Sequence, residues 1–302
     1  MGKDHISQQS LDDLHADSVQ KGIAGIDQGA CLLGHDTAYQ EVSCAYRWQA
    51  HVVAKEREGK PNSTHYNVRT VDERFLFGIN TNAYKAKSGN FHPSYYIAKI
   101  SMPQDGDWDL DGPKRLVPRK TFLNQPRDIL PGANFKDCFN PYWHNSHHMI
   151  PKRLFNNMID ETGKGEGANP ECPMIIRSCL LEAKYNINHK INMIILPQDK
   201  EVGEILKLPR HLIQLEKGDG EDVDAELRKE CMSHVEYDKF VKEKLTETFA
   251  GYKKKVALRT CESPNPRPKL AKSQIEDVSK DCFLAIIGFG ATSGGQPLSD
   301  IK

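Results

Sequence analysis

The stretch Trp143-His144-Asn145-Ser146-His147-His148-Met149-Ile150-Pro151-Lys152-Arg153 places three imidazoles within five positions, followed at once by an apolar-proline-basic run. Imidazole is the commonest metal ligand and the side chain best suited to take up a proton near neutral pH. Two adjacent histidines can divide those tasks, one holding a cation while the other activates water. Cutting a phosphodiester needs an activated nucleophile, a neutralised phosphate and a stabilised leaving oxygen. One cation covers the last two needs and a nearby histidine covers the first.

Other residues fit the same chemistry. Asn192 opens the apolar run Asn192-Met193-Ile194-Ile195-Leu196-Pro197, His211 follows Lys207-Leu208-Pro209-Arg210, and His234 precedes a long helical pattern with Tyr237 on its first turn. Lys152 and Arg153 stand directly after the histidines, where they could meet phosphate oxygens. His144 shares a strand face with His148, which makes it a candidate substrate contact. Neighbouring strand residues point to opposite faces. A site using both His147 and His148 therefore needs a bulge or a strand end there.

Taken in order, His147-His148-Met149-Ile150-Pro151-Lys152, Asn188-His189-Lys190-Ile191-Asn192-Met193-Ile194-Ile195-Leu196-Pro197, His211 and His234-Val235-Glu236-Tyr237 resemble the HNH or His-Me finger (ββα-metal) nuclease superfamily, in its AHH-type bacterial toxin branch. The resemblance spans roughly residues 140–255. It implies an α+β fold, with a ββα-metal nuclease core in the second half and an N-terminal β-containing region of unassigned fold. It also implies hydrolysis of DNA in preference to RNA around one divalent cation, Mg2+ first, with Mn2+, Ni2+ or Zn2+ as alternatives. Carried over by position, His148 is the general base, Asn192 orients that base or braces the finger, and His147, His211 and His234 are metal ligands. Ser146 stands where this branch often has Ala or Gly. The interval between His211 and His234 is long for the branch. The toxin branch further implies a nucleic-acid substrate, a cognate immunity protein and a secretion-apparatus partner such as a type VI system. Two other readings remain open on the residues alone: a non-catalytic domain whose histidines hold a structural zinc, and a hydrolase of another phosphoester.

Composition narrows the field. Lys+Arg and Asp+Glu both number 41 in 302 residues, so the overall basic balance common in nucleic-acid binders is absent. Any phosphate site must be a local basic patch. The first twenty residues carry no apolar core of signal-peptide length, and no run approaches the roughly 18 apolar residues of a membrane span. The expectation is a chain made in the cytoplasm, with delivery into target cells by a contact-dependent apparatus. The eight cysteines form no C-x-x-C pair. That argues against a cysteine-rich zinc site and for reduced, buried thiols.

The elements that must position the histidines follow from periodicity and breakers. Residues 1–20 read as a flexible leader. Residues 21–130 form an N-terminal region, a delivery or adaptor module or a nuclease extension, with strands over 68–80 and 94–102. The nuclease domain runs over 131–258, and 259–302 is a tail with one strand. Within the nuclease domain the pattern predicts helices over 152–161, 172–185 and 235–256, a strand over 192–197 and a helical turn over 202–208. The apolar run 283–287 predicts the strand of the tail. The acids between Glu216 and Glu226 read as a solvated loop. The Asp-rich turn over 103–113 has the spacing of a calcium loop but lacks its glutamate.

Overall fold

A computed structural model describes residues 7–22, 29–32, 44–46, 49–50, 53, 110–111, 144–197, 203–204, 206–211, 234–261 and 269–301. The strands expected over 68–80 and 94–102 and the acidic loop after Glu216 lie outside the described residues. So do most of the Asp-rich turn and all of 118–141. The elements in chain order are α1 (Gln8–Gly22), β1 (Leu110–Asp111), β2 (His144–His148), α2 (Lys152–Glu161), α3 (Cys172–Glu182), β3 (Met193–Pro197), α4 (Val235–Val256) and α5 (Lys272–Ser293). The chain is thus a mixture of helix and strand. Among the described residues, no helix is long and apolar enough to cross a membrane.

The chain divides into two compact units, one drawn from Met1–Gln49, His148–Met193 and Asp238–Cys282, the other from Ala50–His147, Ile194–Tyr237 and Phe283–Lys302. The first unit is helical. Pro151, with φ −60°, sets up the start of α2. Its carbonyl accepts from Phe155 N at 2.9 Å. At the other end Thr162 Oγ1 donates to the Ile159 carbonyl at 2.6 Å. The chain turns at Gly163, where a Cβ would sit 2.8 Å from Pro173 Cδ. Asn169 Oδ1 then accepts from Glu171 N at 2.9 Å just ahead of α3, whose Pro173 needs no donor in the first turn.

The apolar stripe of α4 runs Tyr237, Val241, Leu245, Phe249, Tyr252 and Val256, all buried, at the three- and four-residue steps of a helix face. Val235 and Phe240 also recur near three- and four-residue steps in the sequence. Val235 is exposed and Phe240 only half-buried. In the first unit Phe155 meets Phe249 edge-on at 5.4 Å and Tyr185 at 5.2 Å between ring centroids. The unit also absorbs what looked like a leader. Residues 8–22 form α1, whose Leu11 is buried. Polar residues on most of its length hid a helix that needs only a narrow apolar contact.

The second unit contains the sheet, in order β1-β2-β3. β1 runs antiparallel to β2, pairing Leu110 with Asn145 and Asp111 with His144. Ile194, Ile195 and Leu196 are all fully buried, so β3 is covered on both faces and reads as a continuous apolar run rather than an alternating one. The strand expected over 283–287 is instead part of α5. Ile275, Val278, Cys282 and Ile286 are buried at helical spacing. A short apolar run fits either state by periodicity alone, and the glycines that follow it disguised the helix. One of them is required: a Cβ on Gly290 would collide with the Lys207 carbonyl oxygen and come within 2.8 Å of Leu208 Cα.

Gly288, exposed on α5, and Gly290, buried on the same helix, therefore respond in opposite ways to the same change. Gly288 has open space around it, so Gly288→Ala should raise stability by about 0.5–1 kcal/mol through helix propensity. Gly290→Ala should lower it by on the order of 1–3 kcal/mol through overpacking. Urea denaturation of the two variants checks the contrast, and equal responses would sink it.

Candidate metal centre and histidine cluster

In the second unit three imidazoles meet. His147 comes from β2, His211 from the segment after β3, and His234 from the residue just before α4. One ring nitrogen from each lies within 4.8 Å of the others. His147 stands 4.5 Å from His211 and 5.2 Å from His234 between ring centroids, and His211 stands 5.5 Å from His234. His147 is buried, whereas His211 and His234 are half-buried. Tyr237, fully buried, lies 5.5 Å from His147 and 5.8 Å from His234 and closes the back of the cluster.

Backbone contacts explain why His211 reaches this point. Its N–H donates to the Pro197 carbonyl at 2.8 Å, at the end of β3. Arg210 before it is held on both sides, donating from N to Gln296 O and accepting at O from Leu298 N, each at 2.9 Å. The Gly290 contact with Lys207 and Leu208 seats the chain just upstream. His234 and Tyr237 are one helical turn apart and share a face.

The three donors are imidazole nitrogens. Such a set suits Zn2+ or Ni2+ better than Mg2+ or Mn2+, which prefer oxygen. Catalytic zinc sites hold three protein ligands and keep a fourth position for water, whereas structural sites are closed by four.

In the first unit the partners belong to His148. Its Nε2 donates to Asn188 Oδ1 at 2.8 Å, and its ring lies 5.2 Å from that of Tyr46. Lys152 Nζ sits 4.7 Å over the same tyrosine ring. Burial pushes the His148 pKa from 6.5 down to about 3. The Lys152 charge adds to that shift and the Asn188 bond opposes it. The ring is therefore neutral across the physiological range.

Asn192 makes no such contact with His148. Its Oδ1 accepts from Ile150 N at 2.8 Å and from Ser279 Oγ at 3.0 Å. Its Nδ2 donates to the Ile150 carbonyl at 3.2 Å and the Ile187 carbonyl at 2.8 Å. The amide is saturated by these four partners, so Asn192 is a positioning residue. It holds the chain immediately after the histidine pair. The residue that orients His148 is Asn188, which spacing alone did not single out. Its one sequence signal was its place at the head of the Asn188–Pro197 stretch.

The other candidates are scattered. His144 opens β2 opposite Asp111. Lys152 and Arg153 begin α2, the first half-buried and the second exposed. Among the described residues, cysteines 31, 44, 172, 179, 261 and 282 are buried and outside any disulfide, while Cys138 and Cys231 lie outside the described residues. In comparisons with known proteins, no protein family, no curated protein and no solved structure matches this chain.

Replacing any of His147, His211 or His234 by Ala should weaken Zn2+ or Ni2+ binding at least about tenfold. Calorimetric titration of the purified chain measures this, and an unchanged affinity in all three would remove the cluster as a metal site. Asn192→Ala should cost about 2–4 kcal/mol by leaving buried Ile150 and Ile187 groups unbonded. Asn192→Asp should do no better, because a carboxylate has no N–H for the two carbonyls. Thermal denaturation tests both.

Proposed function

We propose that this protein is a metal-dependent endonuclease, cutting DNA in preference to RNA. The observation that carries the reading is the convergence of His147, His211 and His234, three ring nitrogens from well-separated parts of the chain, within 4.8 Å. Open positions at such a centre favour a reacting site over a closed structural one. When bound, the cation supplies charge neutralisation at the phosphate and stabilisation of the leaving oxygen.

The protein's own residues do the rest. His147, His211 and His234 hold nitrogen donors at fixed spacing, with Tyr237 packed against two of them. His148 is the general base. Its neutral ring is in the form that can accept a proton, and Asn188 fixes the ring's orientation. The low pKa limits its driving force in the empty site. Approach of a phosphodiester's negative charge favours the protonated ring and offsets part of that penalty. Asn192 keeps the chain after His148 in place. Lys152 and Arg153 supply cationic charge for phosphate oxygens, as a local patch on a chain with no net charge. In this reading the protein acts as an antibacterial toxin delivered into competing cells, and its producer carries an immunity protein against it.

Nicking of supercoiled plasmid by the purified chain, with Mg2+, Mn2+, Ni2+ or Zn2+ added in turn, tests the proposal. Wild type should cut and lose activity with a chelator. His148→Ala and His211→Ala should each lower the rate by about 10²–10⁴-fold. Metal binding without cleavage of DNA or RNA would leave a structural zinc centre in place of an enzyme. Undiminished cleavage by His148→Ala would remove the base assignment.

A further inference from the structure

We propose a second metal site, for one zinc ion, built from His15, Cys31 and Cys44. All three belong to the first unit, and none takes part in the nuclease reading. One ligand atom from each lies within 4.8 Å of the others. Zinc held by two thiolates and an imidazole has metal–sulfur bonds of about 2.3 Å and metal–nitrogen bonds near 2.0 Å, which puts tetrahedral ligand atoms roughly 3.5–3.8 Å apart. The atoms need to draw in by about 1 Å at most, within reach of side-chain rotation.

Four features make the cluster more than a coincidence of thiols. The cysteines are deeply buried, Cys31 fully and Cys44 at 5 % exposure, and neither is in a disulfide. Two thiolates exactly balance the charge of one zinc ion, so the loaded site is neutral, as a buried site requires. The donor set is soft, which selects zinc over magnesium or calcium.

The third feature is rigidity. Cys31 N donates to the Tyr185 carbonyl at 3.0 Å, and its carbonyl accepts from Ile187 N at 2.8 Å, pairing it in parallel with Asn186. On α1, His15 lies one turn beyond buried Leu11 and shares its face. The fourth is an outer contact of the type that orients metal ligands: Asn188 Nδ2 donates to Cys31 Sγ at 3.3 Å. A donor aimed at the sulfur favours its thiolate form. The three ligands come from three separate stretches of the N-terminal chain, so the ion would clip α1 to the segments around 31 and 44. The fourth coordination position is left for water.

The test uses the full chain, purified without chelator from zinc-supplemented cells, with His211→Ala and His234→Ala introduced to silence the other centre. Elemental analysis by mass spectrometry should find one zinc per chain. Adding Cys31→Ser and Cys44→Ser should abolish it, and adding His15→Ala should weaken its retention on dialysis. Should the cysteine variants fail to fold, cobalt(II) replaces zinc in the background protein. Thiolate-to-cobalt charge-transfer absorption, displaced by added zinc, then supports the site with both cysteines intact. Zinc no higher than in a metal-free control would overturn the proposal. So would a cobalt spectrum without the charge-transfer band, or a Cys31–Cys44 disulfide, seen as the loss of two hydrogens, in protein purified under reducing conditions. Plasmid nicking does not enter these readouts, so the two proposals stand or fall separately.

Discussion

One buried carboxamide holds together the part of the chain that follows the histidine pair. Asn192 bonds both the N–H and the carbonyl of Ile150, the carbonyl of Ile187 and the hydroxyl of Ser279 on α5. A carboxamide can serve two donors and two acceptors at the same time. Here every bond it forms is shielded from water, where an unmade bond is most costly. The backbone adds one more tie: Met149 N donates to the Asn192 carbonyl at 2.8 Å. Residues 149 and 150 are thereby clamped directly after His148, and α2 starts from that anchor.

The three-histidine cluster of the second unit rests on a different device, close backbone approach. Gly290 lets α5 come against Lys207 and Leu208. Gly295 N then donates to the Leu208 carbonyl at 2.9 Å, and Arg210 is bridged to Gln296 and Leu298. His211 inherits its position from this sequence of main-chain bonds. A metal ligand on a connecting segment is usually less well placed than one on a helix or strand. Here Arg210 and His211 are both held by main-chain bonds, to Gln296, Leu298 and Pro197.

How much of this could be read from the amino-acid order depends on how local the cause is. α2 and α4 fall at the bounds expected, and β3 starts one residue late, at Met193, and ends at Pro197, because each is set by residues within a few positions. α3 begins where expected and ends three residues early, at a turn where Lys184 takes a left-handed φ of 58°. α5 was hidden because its glycines answer to a distant backbone, and α1 because its apolar contact is narrow. The same division holds in the histidine clusters. His147, His211 and His234 announce themselves by residue type. Asn188 does not, since an asparagine in a turn has many ordinary uses. Cys31 and Cys44 escape the spacing rules for zinc, which describe ligands on one tight loop. Here the meeting of the two cysteines with His15 depends on tertiary structure.

Asn188 has a further consequence. A carboxamide has one end that only donates and one that only accepts, and this one uses them on Cys31 and His148. With nitrogen toward the sulfur, oxygen must face the imidazole, so Nε2 carries the hydrogen and Nδ1 keeps the lone pair. A thiolate enforces that arrangement, because it can only accept. A thiol can donate, which lets the amide turn over and exchange the two nitrogens' roles. The charge on that sulfur therefore bears on which tautomer of His148 the amide holds.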